Sequence, residues 1–278
     1  MSGYLTKLKY EDYFVFVKKR FVKVAIPYIV WSIVCCFAIN EGMTGPKIIN
    51  YLLLGKACFP YYYIIIYLQF VLLAPIISKL ALSKVYWLGL LISPVFLVIY
   101  RYYPLISKDN VDLLLSSIAS YSIIPWFLFF YVGLMIGNDL IRHIIKPRWG
   151  LIVLSITIIV QIAESFWFYK IGLTNICGTG LKFSAFLTSL TTCIFCVTYF
   201  KDNTFALSYG LLKRLLIKIG DFSFGIYLIH ILIREGLRYN YKLSPTMEMV
   251  MVLLISCLLI FIGQKVLPDK IKTVVGFK

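Results

Sequence analysis

The sequence predicts an all-α, polytopic integral membrane protein with about eight transmembrane helices and both termini on the cytoplasmic side. Three observations predict it. Of the 278 residues, 61% are hydrophobic and 17% aromatic, and the mean hydropathy of +0.88 is far above that of an ordinary soluble domain. Eight apolar runs are long enough, or nearly so, to cross a hydrocarbon core of about 30 Å. The 28 Lys and Arg residues alternate between connecting segments, 19 on the odd-numbered segments counted from the N-terminus and 9 on the even ones, which by the positive-inside rule puts both ends in the cytoplasm. The formal charge of +16 is then topological. Its partners are membrane lipids with anionic headgroups or an anionic cytosolic ligand, and not nucleic acid.

The runs cover residues 21–39, 61–80, 85–100, 117–136, 149–168, 183–200, 219–233 and 247–266. The preceding segment, 1–20, is basic and amphipathic and has no apolar signal-peptide core. At the first run Lys18, Lys19, Arg20 and Lys23 stand where the cytoplasmic leaflet begins, with Arg20 and Lys23 on one helical face and Pro27 just beyond. An Arg fork beside Lys point charges suits a phosphate, although plain juxtamembrane basicity reads the same way. The second run opens on Tyr61, Tyr62 and Tyr63, an interfacial aromatic belt or a surface on which sugar rings stack, and carries Gln69 at depth, which wants a partner helix. The third run and the seventh are short, and are expected to be tilted or partly buried by neighbours. The fifth holds Gln161 and Glu164 three apart toward its outer end, where a carboxyl can act as acid or base, pair with Arg234, or sit as an interfacial charge. The sixth adds Ser184, Thr188, Ser189, Thr191, Thr192 and Thr198, able to line a polar cavity or to bond back to helix carbonyls.

The seventh run is the most informative. Ser223, Tyr227, His230 and Arg234 are spaced four, three and four apart, which at 3.6 residues per turn leaves them within about 60° of one another. An Arg at mid-bilayer costs about 3 kcal/mol, so such a line faces a cavity or a partner helix unless Arg234 reaches the interface and His230 merely bonds a neighbouring carbonyl. Of the two histidines, only His230 lies inside a span; His143 is in a basic loop.

Among the seven cysteines, Cys35, Cys36, Cys193, Cys196 and Cys257 read as small hydrophobes in apolar helices, while Cys58 and Cys177 fall in predicted outer loops and are candidates for pairing. No metal site is expected. There is no P-loop, dinucleotide fingerprint, zinc signature or nucleophile elbow. With no connection longer than about twenty residues, any site is built from helices and short loops. That favours an enzyme, transporter or channel over a receptor with extramembrane domains.

The polar stretches occur in a familiar order. Ser2-Gly3-Tyr4-Leu5 resembles an SGxxL motif, Lys19-Arg20-Phe21-Val22-Lys23 with Ile26-Pro27-Tyr28 resembles an RxxR and Pro-Tyr entry with Lys23 in place of the second Arg, and Ser223-Phe224-Gly225-Ile226-Tyr227-Leu228-Ile229-His230 resembles an S-x-x-IYLxH segment. With 61–75 and Trp126-Phe127-Leu128-Phe129-Phe130-Tyr131-Val132-Gly133 between them, these make residues 1–278 similar to a single domain of the membrane-bound acyltransferase 3 family, the O-acetyltransferases of lipopolysaccharide and other polysaccharides and the related succinyltransferases. Members have ten helices, and the first bears an R-x10-H motif whose His is regarded as catalytic. Eight spans starting at SGxxL imply a chain N-terminally incomplete relative to the family, with that base upstream; if nothing precedes Met1, an inactive remnant is expected.

The resemblance implies a bacterial inner-membrane O-acyltransferase of the cell envelope, moving an acyl group, most simply acetyl, from cytosolic acyl-CoA to a hydroxyl of an exopolysaccharide or other surface glycan or of its lipid-linked precursor. Acetyl-CoA would be a co-substrate, with no bound cofactor, and other proteins of glycan synthesis are possible partners. Arg20, Lys23 and Lys19 would hold the CoA phosphates. Ser2, Gly3, Gln69, Gln161, Ser223, Tyr227 and Arg234 are motif or cavity residues, and His230 and Glu164 are the titratable candidates beside the transferring centre. The rival reading is a non-enzymatic polysaccharide exporter or flippase subunit that uses the same polar cavity.

Overall fold

A computed structural model describes residues 3–8, 12–39, 44–103, 105, 113–140, 147–202 and 210–277, and among them all regular structure is helical. The principal helices are α1 (Tyr13–Ala38), α2 (Gly45–Leu54), α3 (Tyr62–Leu82), α4 (Trp87–Leu97), α5 (Leu113–Tyr121), α6 (Phe127–Gly137), α7 (Pro147–Lys170), α8 (Phe183–Asp202), α9 (Gly210–Asn240), α10 (Pro245–Val266) and α11 (Asp269–Val275). Every apolar run of the sequence is helical, but eight spans are not all present as unbroken crossings. Tyr13–Ala38, Phe59–Leu82, Trp149–Lys170, Arg214–Asn240 and Pro245–Val266 are long and apolar enough to cross a membrane, and Leu115–Tyr121 with Ile124–Gly137 makes a sixth if that bent pair is one span. Trp87–Tyr102 and Phe183–Val197 are apolar and shorter. Large side chains such as Phe37, Ile76, Ile159 and Leu254 face outward from these helices, a surface that hydrocarbon would cover.

Two elements depart from the sequence reading for visible reasons. The run at 117–136, expected as one span, bends by 58° between α5 and α6. Pro125 has no N–H to continue the helix, and serines satisfy the backbone groups the break exposes. Ser122 Oγ donates to Ile118 O (2.7 Å) and accepts from Ile124 N (3.3 Å), while Ser93 Oγ donates to Ile124 O (2.7 Å) and accepts from Leu128 N (2.9 Å). The run at 219–233, expected to be short, belongs to α9, whose 31 residues give it a length of about 46 Å at 1.5 Å per residue. Helix-favouring residues carry it past the apolar stretch at both ends, from Arg214 and Lys218 to Arg238.

The chain divides into two compact units. One comprises residues 1–11 and 73–206, the other 12–72 and 207–278. In the first, α7 packs on α8 and α4 on α6, around a core that includes Leu97, Leu128, Val132 and Phe186. The segment from Gly3 to Thr6 rests directly on α6. A Cβ on Gly3 would stand 1.9 Å from Phe130 O and one on Gly137 2.1 Å from Tyr4 O, and Asn138 Nδ2 donates to Thr6 O at 2.9 Å. In the second unit α9 packs on α10, and α1 on both α9 and α11, over buried Tyr28, Cys35, Tyr61, Leu228, Ile229 and Ile260. Trp31 Nε1 donates to Val275 O and Gln264 Nε2 to Phe277 O, each at 2.9 Å, which seats the C-terminal turn among α1 and α10.

Candidate active site

The polar stripe of α9 faces a cavity, the first of the two arrangements the sequence left open. Ser223, Tyr227, His230 and Arg234 all line a space of about 680 Å³ between α9 and α10, whose opposite wall is apolar and ends in Glu248. The Tyr227 hydroxyl donates to Pro60 O, which fixes the ring against the 3₁₀ turn Phe59–Tyr61 that leads into α3. His230 Nδ1 lies 2.9 Å from Tyr227 O and 3.1 Å from Ile226 O. Both partners are carbonyl oxygens, so Nδ1 carries a hydrogen, and in the neutral ring Nε2 holds the lone pair. His230 thus bonds its own helix and also presents a nitrogen capable of accepting a proton.

Arg234 is paired. Its Nη2 donates to Glu235 Oε1 at 2.7 Å and its Nε lies 3.9 Å from Glu248 Oε1, while Arg238 Nε reaches both oxygens of Glu248 at 3.0 Å. Glu235 and Glu248 were not singled out in the sequence. Glu248 in particular is fourteen or more residues from the stripe in the chain and meets it only because α9 and α10 lie side by side.

On another side of α9, Lys18, Lys19, Arg20 and Lys23 line a second cavity of about 960 Å³, closed in part by Phe224 and Thr273. Arg20 is half-buried, with its guanidinium 5.7 Å from the centre of the Phe16 ring, whereas the three lysines are exposed. The three residues expected to act together on phosphates, Lys19, Arg20 and Lys23, are brought to one space. Gln69, half-buried within α3, lines neither cavity.

In the first unit the Glu164 carboxylate accepts from the Tyr102 hydroxyl and from both the Oγ and the backbone N of Ser184, so it fastens α7 to the start of α8. Glu164 and Arg234 each have partners within their own unit. Lys182, 1% exposed, donates to Ser165 Oγ and to Cys177 O (2.5 Å). Gln161 lines a shallow space of about 250 Å³ beside Ser165. Several α8 hydroxyls bond helix carbonyls: Thr188 to Ser184 O (2.9 Å) and Thr157 O (3.1 Å), Thr192 to Thr188 O (2.7 Å).

The family model described as an acyltransferase domain matches residues 1–264, nearly the whole chain. The chain belongs to the acyltransferase 3 family. No curated protein and no solved structure matches it. A membrane acyltransferase in general is therefore established by the domain and the apolar helices together.

The acyltransferase 3 domain runs across both compact units, and its motifs divide between them. Ser2 lies outside the described residues, as do His143 and the side chain of Thr198. Gly3 serves close backbone approach to α6, and the Gly133 and Gly137 positions receive it, so this part of the motif set holds the fold together. Each of the two loop cysteines has a partner within its own unit: Cys58 Sγ donates to Cys35 Sγ at 3.0 Å, and Cys177 Sγ to Leu173 O at 3.7 Å. The hydrogen bond to Cys35, and then burial, push the Cys58 thiol well above the ordinary thiol range.

Proposed function

We propose that this acyltransferase 3 domain transfers an acyl group, most simply acetyl, from cytosolic acyl-CoA to a hydroxyl of a cell-surface glycan or its lipid-linked precursor, in the bacterial inner membrane. The observation that carries the reading is that two cavities of opposite character back onto the same helix, α9: one lined by Lys18, Lys19, Arg20 and Lys23, the other by Ser223, Tyr227, His230 and Arg234. The first suits the phosphates of CoA, since a guanidinium fork and neighbouring ammonium groups make charge-assisted hydrogen bonds to phosphate oxygens. The charge bias of the loops favours the cytoplasmic side for its basic rim, and on that orientation the Arg234 end of the second cavity would face outward, toward a surface glycan.

The reaction breaks the thioester C–S bond and forms an ester C–O bond. The acceptor hydroxyl loses its proton to a base, and the departing CoA thiolate takes up a proton. His230, with Nε2 bearing the lone pair and Tyr227 bonded beside it, supports the centre where the acyl group changes hands. The test is transfer of radiolabelled acetyl from acetyl-CoA to membrane glycan, in cells carrying wild type or Arg20→Ala at equal expression. Loss of transfer in the variant is the expected result. Unaltered transfer sinks the CoA-clamp assignment, and a glycan-export defect without any transfer in wild type would turn the reading toward an exporter.

A further inference from the structure

We propose that Cys35 and Cys58 are joined by a disulfide bond that staples the last turns of α1 to the turn preceding α3. Their sulfur atoms are 3.0 Å apart, inside ordinary sulfur–sulfur contact and roughly 1 Å beyond the bonded distance of about 2.05 Å. Both are sequestered, Cys35 at 0% and Cys58 at 4% exposure, in the core of the second unit. Twenty-odd residues of chain separate them, so the contact is tertiary and is not forced by the backbone.

The compartment supplies the second argument, and here the inference rests on the orientation adopted above. With Lys18, Lys19, Arg20 and Lys23 at the cytoplasmic face, the opposite end of α1 and the residues ahead of α3 belong to the exported side, where thiols meet oxidants and disulfides persist. The chemistry is thiol–disulfide exchange with a disulfide-bearing oxidant of that compartment. One cysteine thiolate attacks the donor's disulfide to form a mixed disulfide, and the other displaces the donor. One S–S bond forms in the chain and one is broken in the donor, which leaves as a dithiol with two electrons and two protons. Burial of both sulfurs places the step before the unit finishes packing.

The bond has a position with consequences for the stripe. Cys58 immediately precedes the 3₁₀ turn Phe59–Tyr61, whose Pro60 carbonyl accepts from Tyr227 and whose Tyr61 hydroxyl donates to Leu228 O. A covalent tie at Cys58 fixes that turn, and through it the ring of Tyr227 in the cavity wall.

The test uses the unmodified protein in its native membrane. Cells are quenched in acid, the membranes dissolved in SDS with N-ethylmaleimide, and the digest examined by mass spectrometry with and without reductant. The expected result is one linked species containing the Cys35 and Cys58 peptides that separates on reduction, and an alkylated Cys35 in Cys58→Ser. Alkylation of both thiols before reduction overturns the proposal, as does a link from Cys58 to Cys36 or Cys177. Orientation is read separately from Tyr239→Cys, a position 91% exposed at the far end of α9, with a membrane-impermeant maleimide. Labelling from outside with both native thiols reduced defeats the disulfide alone; labelling only from the cytosolic side with both thiols reduced defeats the orientation and the disulfide with it, and a linked species found with cytosolic labelling defeats the orientation alone.

Discussion

Gly137→Ala is the substitution whose effect follows most directly from the geometry, because the added Cβ would stand 2.1 Å from the Tyr4 carbonyl oxygen, 2.8 Å from its carbon and 2.9 Å from Tyr4 Cα. All three atoms are backbone, so no side chain can swing aside. Ordinary contact begins at 3.4 Å, and the N-terminal segment must retreat from α6 by about 1.3 Å. Overpacking of this kind costs about 1–3 kcal/mol. The same retreat stretches the 2.9 Å bond from Asn138 Nδ2 to Thr6 O, worth about 1 kcal/mol more. The sum of about 2–4 kcal/mol corresponds to a fall in Tm of roughly 4–12 °C for a chain of this size. The assay is loss of the monodisperse size-exclusion peak after heating in detergent. Gly180→Ala is the matched control, since nothing lies within 4 Å of the Cβ it would add. The reasoning is refuted if Gly137→Ala melts with the control. Intact stability combined with lost CoA binding would show instead that the glycines of this contact serve a ligand.

Three other outcomes follow from the same geometry. Arg20→Ala is expected to raise the Kd for CoA about 10- to 100-fold, the loss of one or two charge-assisted bonds, and Arg20→Lys by less, because the ammonium keeps the charge but not the fork; calorimetry in lipid nanodiscs reads both. His230→Ala is expected to lower kcat at least about 10-fold while leaving the Kd for CoA unchanged, since His230 lines the other cavity, and equal losses in both would refute that separation. Tyr61→Phe removes the donor to Leu228 O and is expected to cost about 1 kcal/mol in the same melting assay with the fold retained, because that carbonyl lies within α9 and keeps its helical donor.

What could be read from the chain beforehand depended on how local the signal was. The stripe of α9 was legible because helical periodicity is a property of consecutive residues, and four polar side chains in an apolar run have few alternatives. Arg20, Lys19 and Lys23 were legible for the same reason. The pairing of Arg234 was not: its carboxylates come from the adjacent position and from α10, and nothing in the spacing distinguishes Glu248 from an interfacial charge. The partners of Glu164 were equally hidden, because Tyr102 and Ser184 reach it from other elements. The contact of Cys58 with Cys35 was not legible either, since loop position says where a cysteine is along the membrane normal and not which helix it touches. The bend at Pro125 was masked by unbroken hydropathy on either side of it.

Ser223 and Phe224 are consecutive, yet one lines the stripe cavity and the other the basic cavity. The partition between the two spaces is therefore a single helix thick, about 10 Å. On the proposed function, a thioester docked on the Phe224 side would have to carry its acyl carbon around this one helix, a displacement of about its diameter, to reach the Ser223–His230 line, while the bulky nucleotide end stayed where it docked.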